Sequence, residues 1–548
     1  MNTRGTGSPA TASGTAGPGV EIYDVTLRDG AQGPGISFSV SDKLKIAARL
    51  DDLGVDYIEG GWPGANPKDS EFFAEMRAVR LEHARLAAFG ATRRQGVPAE
   101  DDLGLRQLLD AGTPVVTLVG KSSARQVVDV IQASLEENLA MIGESIAFLR
   151  AQGREAIFDA EHFFDGHAGD PGYALRCVEA ALSAGASRAV LCDTNGGTLP
   201  ERVHAVVTEI VARFGAVVGI HCHDDAGVGV ACTLAAVRAG AVQVQGCLNG
   251  YGERVGNANL TTIIPNLQLK MGIAVVSDAQ LRGLAETSQY VHEIANVTPN
   301  PSAPYVGEHA FTHKGGQHVD AMMKAAYTYQ HVDPELVGNH SRIVVSEQSG
   351  RGNIVWKARE RGIDLGGDRA LTRRVTEEIK RLEHHGYSFE GAEASFEMVV
   401  HRARGHRPLF ELVDLITLVE QREGHALVSE ATVKLRVDGR VVHTAGEGNG
   451  PVNALDAALR KALLPSHPEI DELRLHDYKV RVIDGHDGTA AGVRVLIESG
   501  DRHGRWSTVG CSTNIIEASW LALADAAEYG LLKARARAAA AGAEAAQG

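Results

Sequence analysis

The chain has 548 residues with 54 basic and 69 acidic side chains, a formal charge of −15, and is 44% hydrophobic. That is chain enough for several domains of about 100–200 residues each, with the balance of a folded rather than a disordered protein. Net acidity excludes a general nucleic-acid binder, which needs a basic face to displace phosphate counterions, and no run of 18 or more apolar residues offers a membrane span.

Residues 1–19, rich in Gly, Thr, Ala, Ser and Pro, are expected to form a disordered tail. From Val20 to about Ile273, within a barrel domain expected over 20–290, one rhythm repeats: a short apolar run, a Gly-containing or polar loop, then a helical pattern. The apolar runs lie at 21–27, 55–60, 85–90, 114–120, 156–162, 188–194, 217–223 and 241–249, and a helix over 41–53 is closed by Gly54. Unbroken apolar strands alternating with helices predict a parallel sheet buried on both faces. Eight such units in about 250 residues predict a closed (β/α)8 TIM barrel, with a doubly wound open sheet as the alternative. The six cysteines form no C-x-x-C pair and read as small core hydrophobes of a cytoplasmic protein.

A helical stretch at 278–295 leads into a mainly helical linker region, 291–410, containing a Pro/Asn/Ser-rich segment at 298–305. Residues 411–533 read as an α+β regulatory module. A hairpin is centred on Asp438-Gly439, with a helix opening at Asn453. Strands at 478–483, 492–498 and 506–511 then precede a helix from Asn514 to Leu532. Two β-rich units, each ending in a helix, predict an internal duplication suited to binding a small effector or to dimerisation. The Ala-rich residues 534–548 are a frayed helix or a tail.

In a barrel of this kind the site lies at the C-terminal ends of the strands. There the first run ends in Thr26-Leu27-Arg28-Asp29-Gly30, the fifth in Asp159-Ala160-Glu161-His162, and the sixth in Asp193-Thr194-Asn195. The seventh ends in His221-Cys222-His223-Asp224-Asp225, and the loop after the eighth spans 249–257. At a spacing of two, His221 and His223 point to the same side of their strand, and two adjacent imidazoles are best explained by a shared divalent metal. Asp29 and Asn257 can add oxygens, a mixed set that suits Mn, Zn, Fe or Mg. Arg28 can reach inward from a loop start or form a structural ion pair, and Glu161 is a base, or else a surface or core-paired acid. The 250–256 loop is not a dinucleotide fingerprint, because Val255 stands where the last glycine is needed, although its place after the eighth strand suits phosphate contacts.

The segments 26–32 (TLRDGAQ), 159–166 (DAEHFFDG), 192–197 (CDTNGG), 221–225 (HCHDD) and 249–260 (NGYGERVGNANL) resemble the 2-isopropylmalate, homocitrate and citramalate synthase family. So do 60–69 (GGWPGANPKD), 304–311 (PYVGEHAF) and 331–339 (HVDPELVGN), so that the resemblance runs from about Glu21 to Leu532. It implies a Claisen-type condensation of acetyl-CoA with a 2-oxo acid on a divalent metal (Mn, Mg or Zn). Pyruvate is the expected 2-oxo acid; the alternatives are a branched one, as in leucine biosynthesis, and an aldol lyase on the same barrel. It further implies that Asp29, His221 and His223 hold the metal, with Asn257 as a nearby or direct ligand. Arg28 would stabilise the developing alkoxide, Thr194 would bind the carboxylate, and Lys121 would sit in the substrate pocket. Glu161, with His318 and Tyr329 from the following region, would supply the acid–base groups. The same resemblance implies a homodimer and a branched-chain amino-acid effector, such as isoleucine, at the C-terminal module. The chain departs from the family pattern at Gly33-Pro34, at Cys232 and at Gly316-Gln317-His318.

Overall fold

The computed structural model describes residues 19–344, 351–360, 363, 365, 368–389, 391–421, 427–483 and 490–545. Eight parallel strands close into a barrel: β1 (Glu21–Asp24), β2 (Tyr57–Glu59), β3 (Arg85–Ala91), β4 (Val115–Lys121), β5 (Glu155–Glu161), β6 (Arg188–Asp193), β7 (Val218–Cys222) and β8 (Gln243–Gly246). The seam is the pairing of β1 with β8, from Glu21 opposite Gln243 to Asp24 opposite Gly246. That pairing removes the sheet edges and with them the open-sheet alternative. The strands read as unbroken apolar runs because side chains of both faces are covered; in β4, Val115, Val116 and Leu118 are all fully buried.

Local chemistry sets the element ends. The helix Val40–Leu53 starts with a capping box between Ser39 and Asp42, buries Ile46, Ala47 and Leu50, and stops at Gly54 in the left-handed region. β1 is shorter than its apolar run. Asp24 accepts hydrogen bonds from the backbone N–H and the hydroxyl of Thr26, both at 2.9 Å. This turns the chain out of the strand, so residues 26–32 form a tight turn at the barrel mouth instead of extending β1.

The chain divides into two compact units, one running to Phe311 and including Val332–His340, the other comprising Thr312–His331 and the chain from Ser341 onward. In the first, Asn339 donates from Nδ2 to the carbonyls of Tyr305 and Gly307, both at 2.9 Å, which pins the returning segment. The second opens with a short parallel pair, β9 (Thr312–His313) and β10 (Arg342–Ile343), followed by the helices Arg351–Glu360, Arg369–His384 and Glu393–Ala403.

Two three-stranded antiparallel sheets complete it: β11 (Phe410–Glu420), β12 (Val428–Val437) and β13 (Arg440–Gly448), then β14 (Arg474–Val482), β15 (Val493–Asp501) and β16 (Gly504–Ser512). Each sheet is followed by a helix, Pro451–Leu463 and Ile515–Ala545, and one apolar core joins both halves. This is the duplication expected from the sequence, with an additional strand. β11 escaped sequence reading because its outward residues Ile416 and Leu418 are apolar and exposed, which blurs the period-two pattern. β12 keeps that pattern, burying Ser429, Ala431, Val433, Leu435 and Val437. Asp438 (φ 48°) and Gly439 (φ 78°) make the hairpin turn into β13 with two positive φ angles. The last helix continues to Ala545, through most of the Ala-rich segment. All six cysteines are buried and unpaired, and among the described residues no helix is long and apolar enough to cross a membrane.

Candidate metal centre and substrate cavity

Asp29, His221 and His223 converge at the C-terminal mouth of the barrel, each buried, with potential ligand atoms all within 4.8 Å of one another. Asp29 Oδ2 lies 3.9 Å from Nε2 of both histidines, and the two rings are 5.3 Å apart. His221 is the penultimate residue of β7 and His223 lies just past its end, so the alternation of a strand carries both rings to one side. His221 Nδ1 meets Gln245 Oε1 at 2.8 Å, and Gln245 Nε2 donates in turn to Asp159 Oδ1 at 2.9 Å. An amide oxygen only accepts, so His221 carries its proton on Nδ1 and presents the Nε2 lone pair to the cluster.

The fourth member is set by the loop after β8. Asn257 Nδ2 donates to Asp29 Oδ1 at 2.7 Å and to the Tyr251 carbonyl at 3.0 Å. Its Oδ1 is left buried without a hydrogen-bond partner. Gly252 makes that approach possible: its φ is 145°, and a Cβ there would lie 2.3 Å from Asn257 Nδ2. The protonation states suit a cation. Burial alone would raise the Asp29 carboxyl, but Arg28, His221 and His223 override it and hold the group at about 2. Burial, reinforced by His221, lowers His223 to about 4, leaving a neutral imidazole at physiological pH. Two imidazole nitrogens, a carboxylate oxygen and an orphaned amide oxygen fit a divalent ion of the Mn, Mg or Zn kind.

Arg28 reaches inward from the turn after β1. Its Nε lies 2.5 Å from Glu59 Oε1 and its Nη1 2.9 Å from Asp29 Oδ2, while the guanidinium stacks 3.7 Å above the Phe89 ring. Both sequence readings therefore hold at once: Arg28 is an ion-pair partner and it faces the site. A cavity of about 260 Å³ opens over this cluster, walled by Trp62, Phe89, Val119, Glu161 and Thr194 among others. Lys121 Nζ pairs with Glu161 Oε2 at 2.5 Å. A second cavity of about 520 Å³, lined by Lys121, Arg93 and Met141, shares Trp62, Val119 and Glu161 with the first. His318 and Tyr329 belong to the second unit, where their rings stack at 4.1 Å and both are exposed.

Known proteins resemble this chain along most of its length. Residues 19–291 match the HMGL-like family model, 305–386 the homocitrate synthase post-HMGL domain-like model, and 390–531 the LeuA allosteric (dimerisation) domain model. An (R)-citramalate synthase of Geobacter sulfurreducens is 50% identical over 94% of this chain and 98% of its own length. One of Streptomyces coelicolor is 50% identical over 96% and 99%. A probable 2-isopropylmalate synthase of Methanopyrus kandleri is 32% identical over 91% and 96%. This chain belongs to the citramalate and 2-isopropylmalate synthase family.

In this family member three groups around the cluster had no role in the sequence reading: Glu59, Asp159 and Gln245. The available signal was a charged or amide side chain closing an apolar strand run, as Glu59 does in β2. Glu59 is fully buried and accepts from the Tyr23 hydroxyl at 2.7 Å as well as from Arg28. Burial, with the Glu59 carboxylate nearby, raises Asp159 from 3.8 to about 8. A folded-state value above the unfolded one means that the native chain keeps a proton which the unfolded chain releases above about pH 4. This group therefore makes stability fall as pH rises from about 4 to about 8. Asp159→Asn is expected to flatten that part of the profile, gaining on the wild type as pH rises. Thermal unfolding between pH 5 and 9 checks this; parallel profiles for the two proteins would refute it.

Proposed function

We propose that this protein condenses acetyl-CoA with pyruvate and hydrolyses the resulting thioester, giving (R)-citramalate and CoA. The observation that carries this reading is 50% identity to (R)-citramalate synthases over nearly the whole chain, with Arg28, Asp29, His221 and His223 together at one cavity. The small chamber suits a short 2-oxo acid, since Trp62, Phe89 and Val119 leave an apolar wall for a methyl group and Thr194 a hydroxyl for the carboxylate. The wider adjoining cavity, with Arg93 and Lys121 on its wall, suits the acyl-CoA arm.

Asp29, His221 and His223, with Asn257 beside them, would hold a divalent ion whose chemistry is to polarise the keto group of the 2-oxo acid. Arg28 is locked between Glu59 and Asp29, a fixed positive charge where the keto oxygen becomes an alkoxide. Such preorganised charge costs no reorganisation as the reaction proceeds. A base takes a proton from the acetyl methyl, the new carbanion bonds to the keto carbon, and the alkoxide is protonated. Water then cleaves the citramalyl thioester, releasing the CoA thiol. Glu161, at the junction of the two cavities, and His318 and Tyr329 of the second unit are the candidates for these proton transfers. Lys121, paired with Glu161, adds positive charge for the anionic substrates.

The wider reading follows the same relatives. The protein would be a cytoplasmic homodimer acting in isoleucine biosynthesis, with the LeuA-like segment 390–531 binding an amino-acid end product such as isoleucine. The test is CoA thiol release from acetyl-CoA with a panel of 2-oxo acids, with and without chelator. Chelator-sensitive release, fastest with pyruvate, is expected. Release indifferent to metal removal would sink the mechanism, and a preference for 2-oxoisovalerate would move the assignment to 2-isopropylmalate formation.

A further inference from the structure

Three loops that surround the cluster are tied together by one side chain the reaction scheme does not use. Arg254, in the loop after β8, donates from Nε to Asp225 Oδ1 at 2.7 Å and from Nη2 to Asp225 Oδ2 at 2.8 Å. The same Nη2 donates to the backbone carbonyl of Thr194 at 2.8 Å. One guanidinium thus joins the loops after β6, β7 and β8. The arrangement is built at some conformational cost, since Arg254 holds φ at 57°, a left-handed backbone that favours glycine. Gly196, next to the clamped carbonyl, has φ 63°, and a Cβ there would lie 2.4 Å from Asp225 Oδ2, so the loop after β6 sits directly against the ion pair. Its carbonyl accepts from Ala226 N at 2.9 Å, adding a second stitch between the same loops.

The clamp meets a second restraint at Thr194. The Thr194 hydroxyl oxygen accepts from the backbone N–H of His162 at 2.8 Å. His162 is itself left-handed, with φ 56°. A backbone amide can only donate, so the hydroxyl keeps its own proton free to donate to something else. Thr194 and Arg254 both line the 260 Å³ cavity, and the natural acceptor there is a substrate carboxylate. The exposed ion pair itself adds little to stability; its geometry, two parallel bonds plus one to a carbonyl, is what fixes a loop.

We propose that Arg254, clamped on Asp225, is a positioning residue that sets the Thr194 hydroxyl for the carboxylate of the 2-oxo acid. This rests on the condensation reading above. Lysine offers one point charge and cannot span both Asp225 oxygens and the Thr194 carbonyl. Arg254→Lys is therefore expected to raise the KM for pyruvate about tenfold while kcat and the KM for acetyl-CoA stay within about twofold. Asp225→Asn, which breaks the same clamp from the other side, should do the same and serves if Arg254→Lys fails to fold. In a Thr194→Val background the Arg254→Lys change should have no further effect on the pyruvate KM, because the group it positions is gone. Metal content is measured alongside and should equal that of the wild type. The proposal is overturned if the pyruvate KM is unchanged in the folded, metal-loaded variants, or if the Arg254 and Thr194 effects multiply in the double variant. A wild type that releases no CoA thiol with any 2-oxo acid would overturn the condensation reading itself, an outcome visible before any variant is made.

Discussion

His221→Ala is expected to leave the protein unable to retain a divalent ion and to reduce condensation to background. Asp29 Oδ2 stands 3.9 Å from both imidazole Nε2 atoms, so removing one ring leaves only one nitrogen donor beside the carboxylate. Outer-shell partners of a metal ligand are each worth about 10–100-fold in affinity, and a direct donor is worth at least that. The variant also leaves Gln245 Oε1 without the Nδ1–H it accepts, in a buried setting where an unpaired polar atom costs about 1–3 kcal/mol. Metal analysis after dialysis, beside a thermal melt confirming the fold, checks the outcome. Stoichiometric metal in the dialysed variant would remove His221 from the ligand set.

Arg28→Lys is expected to lower kcat by about 100-fold or more, the scale of losing one preorganised oxyanion donor, with metal retained and acetyl-CoA binding unchanged. Lysine preserves the charge, so that Glu59 and Asp29 are not abandoned as unpaired buried acids, a loss that costs about 3–5 kcal/mol when a buried partner is simply deleted. It cannot reproduce the fork that reaches Glu59 through Nε and Asp29 through Nη1 while lying flat on Phe89. Steady-state kinetics with metal-saturated enzyme decides the matter. A kcat within a few-fold of the wild type would show that any positive charge at this position suffices and that the fixed geometry has no role.

Much of this site is visible in the sequence because its members close strand runs at the barrel mouth. The H-x-H spacing alone brings His221 and His223 to one side, and the order of the strands makes Asp29 on the first and Asn257 after the eighth their neighbours. Arg28 was ambiguous, since strand alternation would have turned it away from Asp29; the Asp24–Thr26 turn ends β1 early and lets both point inward. Glu59, Asp159 and Gln245 stand out in the sequence only as polar side chains in or at the end of apolar runs, and no spacing says which partners they meet. β11 was missed for the opposite reason, its outward face being too apolar to show a period.

By itself, then, the sequence determined that eight βα units follow one another, that a duplicated module comes after them, and which residue types crowd the strand ends, because periodicity and spacing are local properties of a chain; closure of the ring came from the pairing of β1 with β8. The −15 charge excluded a nucleic-acid binder without locating any positive site. Only the tertiary structure decided how these polar side chains are paired: Arg28 between Glu59 and Asp29, Gln245 between His221 and Asp159, Arg254 across three loops. Those partners are separated by as many as 86 residues along the chain. Their pairing depends on which strand ends meet around a closed ring, and for the buried acids Glu59, Asp29 and Asp159 burial then makes each unpaired alternative costly.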